Sequence, residues 1–386
     1  MFAVLAWSGP ALLGVYGVLT SIELVAIYLA GFEFHTFTTR RYARRPSPRA
    51  LGRSLACHRK MLLVSTPLAV IGAGLAAWLL GLNLGWVEYL SFLIVVATGV
   101  AVQETVRFIV LIHRPVMSVV VSFIRTASWQ PAALLCLSAP SPLLPMLALW
   151  AVAALMSLVL AAWLLRAALW RRVRIPLRYL AHGLLKGRNY YLTANAAVLQ
   201  GNLERFVLQT FLGPAAVGVY AFFQSLASTL PALVQSAVLN LWLPSLLKDF
   251  GQRRSGRFTT LRRAALRALA VSALLSVGVA VGAAALSLLS GHREYIPLLW
   301  MLGVLLVGQI VQVWTQPVHL ALYAAHRDRA LMILSLTVLA ASSVLGILLV
   351  RSAGVQGAVM SQLAGGLMLG LARSGLFRFY LKRNVI

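Results

Sequence analysis

Charged side chains stand in this sequence where a charge is expensive. Glu23, Arg125 and Arg205, with Glu104 and Arg107, fall inside long apolar runs of a chain that is 60% apolar. Moving such a group into hydrocarbon costs at least a few kcal/mol, so each is a candidate for work rather than for solubility. At 1.5 Å per residue, Arg125 stands about 14 Å along the run that begins at residue 116, and Glu23 about 18 Å along the run that begins at residue 11. Both lie near the middle of a bilayer core. Arg205 lies roughly a third of the thickness from the outer face by the same arithmetic. Arg107 is close to the end of its run, and Glu104 precedes it by three residues, the spacing of a same-face ion pair.

The run around Arg205 resolves further at 100° per residue. Asn195, Asn202, Arg205 and Gln209 fall within an arc of about 80°, while Thr193, Gln200 and Glu204 gather nearly opposite. Lipid satisfies no amide, so both stripes must meet helices, water or a ligand. Two deep arginines, Arg125 and Arg205, suit an anion such as a diphosphate, whose oxygens accept forked, charge-assisted hydrogen bonds. The alternative is that each neutralises a buried carboxylate such as Glu23 or Glu104 and holds helices together. A further stripe of Gln309, Gln312, Gln316 and His319, beside Pro317, either lines an aqueous cavity or knits helices, the commoner use.

Bond-making chemistry finds no support. The sequence offers no nucleophile with a base, no paired acidic cluster for a metal and no phosphate loop, so neither a cofactor nor a metal is expected. Cys57 and Cys136 form no metal or redox pattern.

The elements that position these residues are membrane spans. Only 11% of residues are charged, far from the roughly one quarter of a soluble domain. The net charge of +26 is a poor sign of nucleic-acid binding in so apolar a chain, where arginines mark the cytoplasmic ends of spans. The opening MFAVLAWSGP reads as no signal peptide. Apolar runs predict an all-α polytopic protein with eleven spans, near 11–31, 61–82, 86–112, 116–138, 143–165, 189–212, 215–246, 264–290, 296–322, 331–350 and 354–377. The connections expected inside carry Arg40, Arg41, Arg44, Arg45, Arg171, Arg172, Arg253 and Arg254, whereas those expected outside hold only Arg293 and Arg351. This bias puts the C-terminus in the cytoplasm.

An internal repeat organises the spans. Gly9-Pro10 with Gly14-Val15-Tyr16 recurs as Gly213-Pro214 with Gly218-Val219-Tyr220, at an offset of 204 residues. The second copy follows a full apolar run, 189–212; the first follows eight residues, too few to cross a bilayer. A design of six and six helices in parallel repeat is therefore expected, with the first helix lacking. The lobes would span 1–165 and 189–386 and leave a substrate cleft between them. The basic amphipathic linker 166–188 is expected to lie along the anionic inner leaflet.

The passage NLERFVLQTFLGPAAVGVYAFFQSLASTLPALVQSAVLNLWLPSLLK resembles the middle helix pair of the polysaccharide-type flippases of the multidrug, oligosaccharidyl-lipid and polysaccharide exporter superfamily. Glu204-Arg205, Leu212-Gly213, Val217-Gly218-Val219-Tyr220 and Pro244 stand in that family's places, with glutamate where aspartate is usual. SGPALLGVYGV resembles its opening turn. The resemblance implies a transporter in a bacterial cytoplasmic membrane that moves undecaprenyl-diphosphate-linked sugars between leaflets by alternating access, alongside glycan assembly enzymes. Cleft arginines would hold the diphosphate, and polar stripes the sugars. Rival readings are a multidrug cation antiporter of the same fold, which should be dominated by deep acidic residues; a glycan polymerase or ligase, which should carry a large outer loop; and a non-transporting structural partner.

Overall fold

A computed structural model describes residues 9–35, 48–112, 114–136, 141–169, 177–251, 256–289 and 293–382, and every regular element among them is helical. In chain order these are α1 (Gly9–Gly31), α2 (Pro48–Leu79), α3 (Trp86–Leu111), α4 (Pro115–Thr126), α5 (Gln130–Leu135), α6 (Leu143–Leu169), α7 (Leu177–Leu212), α8 (Pro214–Val234), α9 (Asn240–Gly251), α10 (Arg257–Leu289), α11 (Leu299–Ala324) and α12 (Asp328–Lys382). Eight helices of the described residues are long and apolar enough to cross a membrane. The chain is an all-α, multi-pass membrane protein. Its outward apolar side chains agree with that: Leu63, Trp78, Val159, Leu274 and Leu371 are mostly exposed, as lipid contact allows and water does not.

Local signals place the helix ends. Pro214 opens α8 and Pro115 opens α4, each at a position whose N–H would have no partner anyway. Gly85 caps α3, its N–H donating to Glu88 Oε2 at 2.8 Å. A π turn, Gln235–Leu239, joins α8 to α9, and a 3-10 turn, Arg293–Leu298, leads into α11. Gly354 has φ 58° and ψ −132°, so α12 is two helical stretches joined at a break that glycine alone adopts without strain.

Several boundaries differ from the sequence expectation. The span expected at 61 begins at Pro48, the one expected at 189 begins at Leu177, and the one expected at 116–138 is broken by a turn at Ala127–Trp129. The expected linker 166–188 is therefore helical at both ends, its centre, 170–176, lying outside the described residues. Charged residues such as Arg53, Arg59, Arg178 and Lys186 look like loop, yet a helix passes from hydrocarbon into water without interruption because helix propensity does not fall with charge.

The chain forms two compact units, one of Val18–Val198 and one of Gly9–Gly17 with Leu199–Ile386, so α1 and α7 each pass from one unit into the other. In the first unit, Leu55, Val102, Phe108, Ile109, Val121, Ala161 and Leu165 pack α2, α3, α4 and α6 together. Trp129, at the break after α4, stacks on Trp150 of α6 with centroids 5.7 Å apart. In the second, Leu246, Phe250, Leu261, Ala264, Ala321, Leu322 and Leu331 join α9 to α12.

The two copies of the repeat meet inside the second unit. Gly9 and Gly213 share a left-handed backbone, φ 69° and 79°, and each precedes a proline. A Cβ on Gly14 would overlap the carbonyl oxygen of Pro214, and one on Gly218 would overlap that of Pro10. The contact is reciprocal: each copy's second glycine seats the other copy's proline carbonyl. One turn on, a Cβ at Gly17 would stand 3.3 Å from that of Ala221. Such a backbone-to-backbone crossing admits no side chain. Gly14→Ala and Gly218→Ala are each expected to destabilise the protein by at least about 1–3 kcal/mol, read as a lower midpoint of thermal unfolding in detergent. Gly201→Ala, with nothing within 4 Å, should raise the midpoint slightly.

Candidate functional site

The deep charges in the first unit are paired. Arg125 of α4 donates from Nη2 to Glu23 Oε1 of α1 at 2.8 Å, and both side chains are buried. Gly99 of α3 makes the room, since a Cβ there would approach Glu23 Oε1 to 2.8 Å. Arg125 Nε has no hydrogen-bond partner among the described residues. The guanidinium thus spends one edge on Glu23 and keeps donor capacity beyond it.

A second polar cluster gathers where α1, α2 and α3 end. Glu104 accepts from Arg107 and stands 3.1 Å from His58 Nδ1, all but out of solvent. Arg107 also donates to His35 Nδ1 at 2.7 Å and lies 3.8 Å from Glu33. Phe34 and Phe108 flank the His58 ring edge-on at 5.1 and 4.7 Å. Burial, followed by the Arg107 charge, pushes the His35 imidazole down to about 4, so it stays neutral and its Nδ1 accepts from Arg107. A cavity of about 420 Å³ between α2 and α3 reaches this cluster, with His58, Arg59, Leu62, Leu63, Glu104 and Phe108 in its wall.

Helix α7 divides the remaining candidates. Asn195, in the first unit, donates to the Tyr191 carbonyl of its own helix at 2.8 Å. Asn202, Arg205 and Gln209 lie in the second unit, where Arg205 Nη1 donates to the Gly17 carbonyl at 3.3 Å. Tyr16 and Tyr220, equivalent residues of the repeat, lie within electrostatic reach of Arg205. The opposite stripe binds α7 to α12: Gln200 donates to the Gly365 carbonyl at 3.4 Å, and Glu204 Oε1 accepts from Ser361 at 3.2 Å.

The geometry shows charge handled by hydrogen bonds inside spans, with no group of three or more metal ligands among the described residues. Comparison with known proteins places it. The model of a family described as polysaccharide biosynthesis protein matches residues 9–248. The chain belongs to that family. No curated protein matches it. Among solved structures, a multidrug resistance MATE family transporter of the MOP superfamily, inward-facing, is similar at TM-score 0.74 and 13% identity, over 99% of this chain and 94% of that one. The lipid II flippase MurJ, inward closed, is similar at TM-score 0.68 and 11% identity, over 97% of this chain and 86% of that one. The polysaccharide biosynthesis protein therefore has the fold of these transporters, and the expectation that it is not an enzyme agrees with family and fold.

Every site residue expected from the sequence falls within the stretch that matches the polysaccharide biosynthesis family. The structure brings Glu23 to Arg125, and Glu104 to Arg107. It adds Glu33, His35 and His58, which sequence reasoning placed in a loop; only a helical reading back to Pro48 would have put His58 on the face towards Glu104. It also adds Arg373 of α12, buried, with Nη1 on Gln316 Oε1 at 3.2 Å. Its position near the end of an apolar run reads as an ordinary flanking cation.

Breaking the buried pair with Glu23→Gln or Arg125→Met alone is expected to cost about 3–5 kcal/mol, and the double Glu23→Leu/Arg125→Met much less, a coupling that thermal unfolding of the cycle would measure. The histidine gives a pH signature. Unfolded His35 takes its proton near 6.5 and folded His35 only near 4, so stability is complete above 6.5 and is lost as pH falls between the two values. His35→Asn keeps a hydrogen-bond acceptor without that titration, and its melting midpoint should fall less steeply over this range.

Proposed function

We propose that this protein moves a lipid-linked oligosaccharide or polysaccharide precursor across the cytoplasmic membrane by alternating access, with arginine side chains holding the phosphates of the carrier lipid. The observation that carries this reading is membership of the polysaccharide biosynthesis family over residues 9–248, on a fold that a flippase and multidrug transporters also use. Eleven crossings are inferred: α1, α2, α3, α4 with α5, and α6, then α7, α8 with α9, α10, α11 and the two stretches of α12. Two lobes in parallel repeat, 1–165 and 189–386, are joined by 166–188, whose cations sit against anionic inner-leaflet lipids. The C-terminus is cytoplasmic.

Charge accounting favours an anionic substrate over a cationic one. Among the described residues each deep carboxylate already has a donor, Glu23 from Arg125, Glu104 from Arg107 and Glu204 from Ser361. A cation would have to displace one of these. Arg205 instead donates to a neutral carbonyl, and Arg125 keeps its Nε uncommitted, so both can take phosphate oxygens. Asn195, Asn202 and Gln209 then offer amides to sugar hydroxyls, while Glu23, Glu104 and Arg107 hold the arginines and helices in register.

The test is flipping of a fluorescent lipid-diphosphate sugar in proteoliposomes. Arg205→Ala and Arg125→Lys, checked for folding, should slow it by roughly 10- to 100-fold, the worth of one or two charge-assisted hydrogen bonds. Unchanged flipping in both, or efflux of a cationic dye with no lipid movement, would sink the reading.

A further inference from the structure

The seam between α11 and α12 ends in a charge without a counter-charge. Gly366, Gly370 and Arg373 lie within about 60° on one face of α12, at intervals of four and three residues. A Cβ at Gly366 would stand 3.3 Å from the Gly308 carbonyl, and one at Gly370 3.0 Å from Val311, so the two helices run almost backbone to backbone. Arg373 is the next residue on that face, 9% exposed. Its Nη1 donates to Gln316 Oε1, a neutral amide, and its Nε has no partner among the described residues. No described carboxylate pairs with it or acts on it electrostatically, whereas His319, one turn beyond Gln316, lies within its reach. The Nδ1 of His319 is also unpartnered.

A buried guanidinium held only by an amide is costly, and glutamines spaced along α11 add donors rather than charge. The arrangement is incomplete by one anion. Gln312, Gln316 and His319 are each partly exposed, so the row is open along one side. We propose that Arg373, Gln316 and His319 form a phosphate-binding site within the second unit. The planar guanidinium offers Nε and Nη2 as a parallel fork to two oxygens of one phosphate. The neutral His319 ring and the Gln316 amide supply the flanking donors. The site is separate from Arg125 and Arg205 and does not depend on their transport role. The same chemistry fits a free diphosphate or the diphosphate headgroup of a prenyl lipid.

Thermal unfolding of the full chain in detergent tests it, with inorganic diphosphate and with farnesyl diphosphate as probes. Wild type should melt higher as either concentration rises. Arg373→Met, which removes the uncompensated charge but keeps the packing, should melt no lower than wild type without anion and lose the shift; Arg205→Met should keep it. If Arg373→Met does not fold, Arg373→Lys, a charge without the fork, should need roughly tenfold more anion. Action of farnesyl diphosphate at much lower concentration than inorganic diphosphate would assign the site to a lipid headgroup, and equal action would assign it to the free anion. No shift in wild type with either probe, or an equal shift in the Arg373 variants, overturns the proposal.

Discussion

Everything in the second unit hangs on two glycines and two carbonyl oxygens. Gly14 receives the Pro214 carbonyl and Gly218 receives that of Pro10, a contact so close that even a methyl group is excluded. Because Gly9–Gly17 is held there, α1 begins in the second unit and passes into the first at Val18. The same crossing presents the Gly17 carbonyl to Arg205, with both repeat tyrosines close by. Hydrophobic burial alone does not drive helices together in lipid, so close backbone approach carries much of the specificity.

A second theme is the use of absent side chains to lodge charged ones. Gly99 leaves space for the Glu23 and Arg125 pair, and Gly31 leaves space for Glu104, whose Oε1 would lie 2.9 Å from an added Cβ. Glycine weakens a helix by about 1 kcal/mol, a smaller sum than leaving a carboxylate without its donor. The polar groups fall into kinds by what answers them. Glu23, Glu104 and Glu204 are answered within the protein, while Arg373 is answered only by amide and imidazole. That difference separates residues that hold helices from residues that can receive something.

Much of this was legible in the sequence. The repeat read from Gly-Pro and Gly-Val-Tyr corresponds to shared backbone conformation at Gly9 and Gly213. Deep Arg125 and Glu23 stood out because hydrophobicity makes charges conspicuous, but their pairing spans 102 residues and only one of two readings of Arg125 included it. Helix starts at Pro48 and Leu177 were missed because charge density marks where hydrocarbon ends, not where the helix does. His58 was lost with the first of these. Arg373 escaped for the opposite reason: depth along a span estimates distance from water, whereas its burial comes from neighbouring α11, a lateral property that no one-dimensional count contains.

The π turn at Gln235–Leu239 has a consequence for how this protein tolerates change in length. An extra residue held in a helix turns everything after it by about 100° relative to an uninterrupted α-helix. Leu246 and Phe250 of α9 reach the core of the second unit in that rotated register. Removing one residue here would leave the helix intact and even relax it, yet would swing both side chains away from α10 and α11. In the descent of such a chain, a one-residue deletion in this turn would be tolerated less well than one in an exposed loop. The strictest reading frame in the molecule is set by geometry rather than by any single side chain.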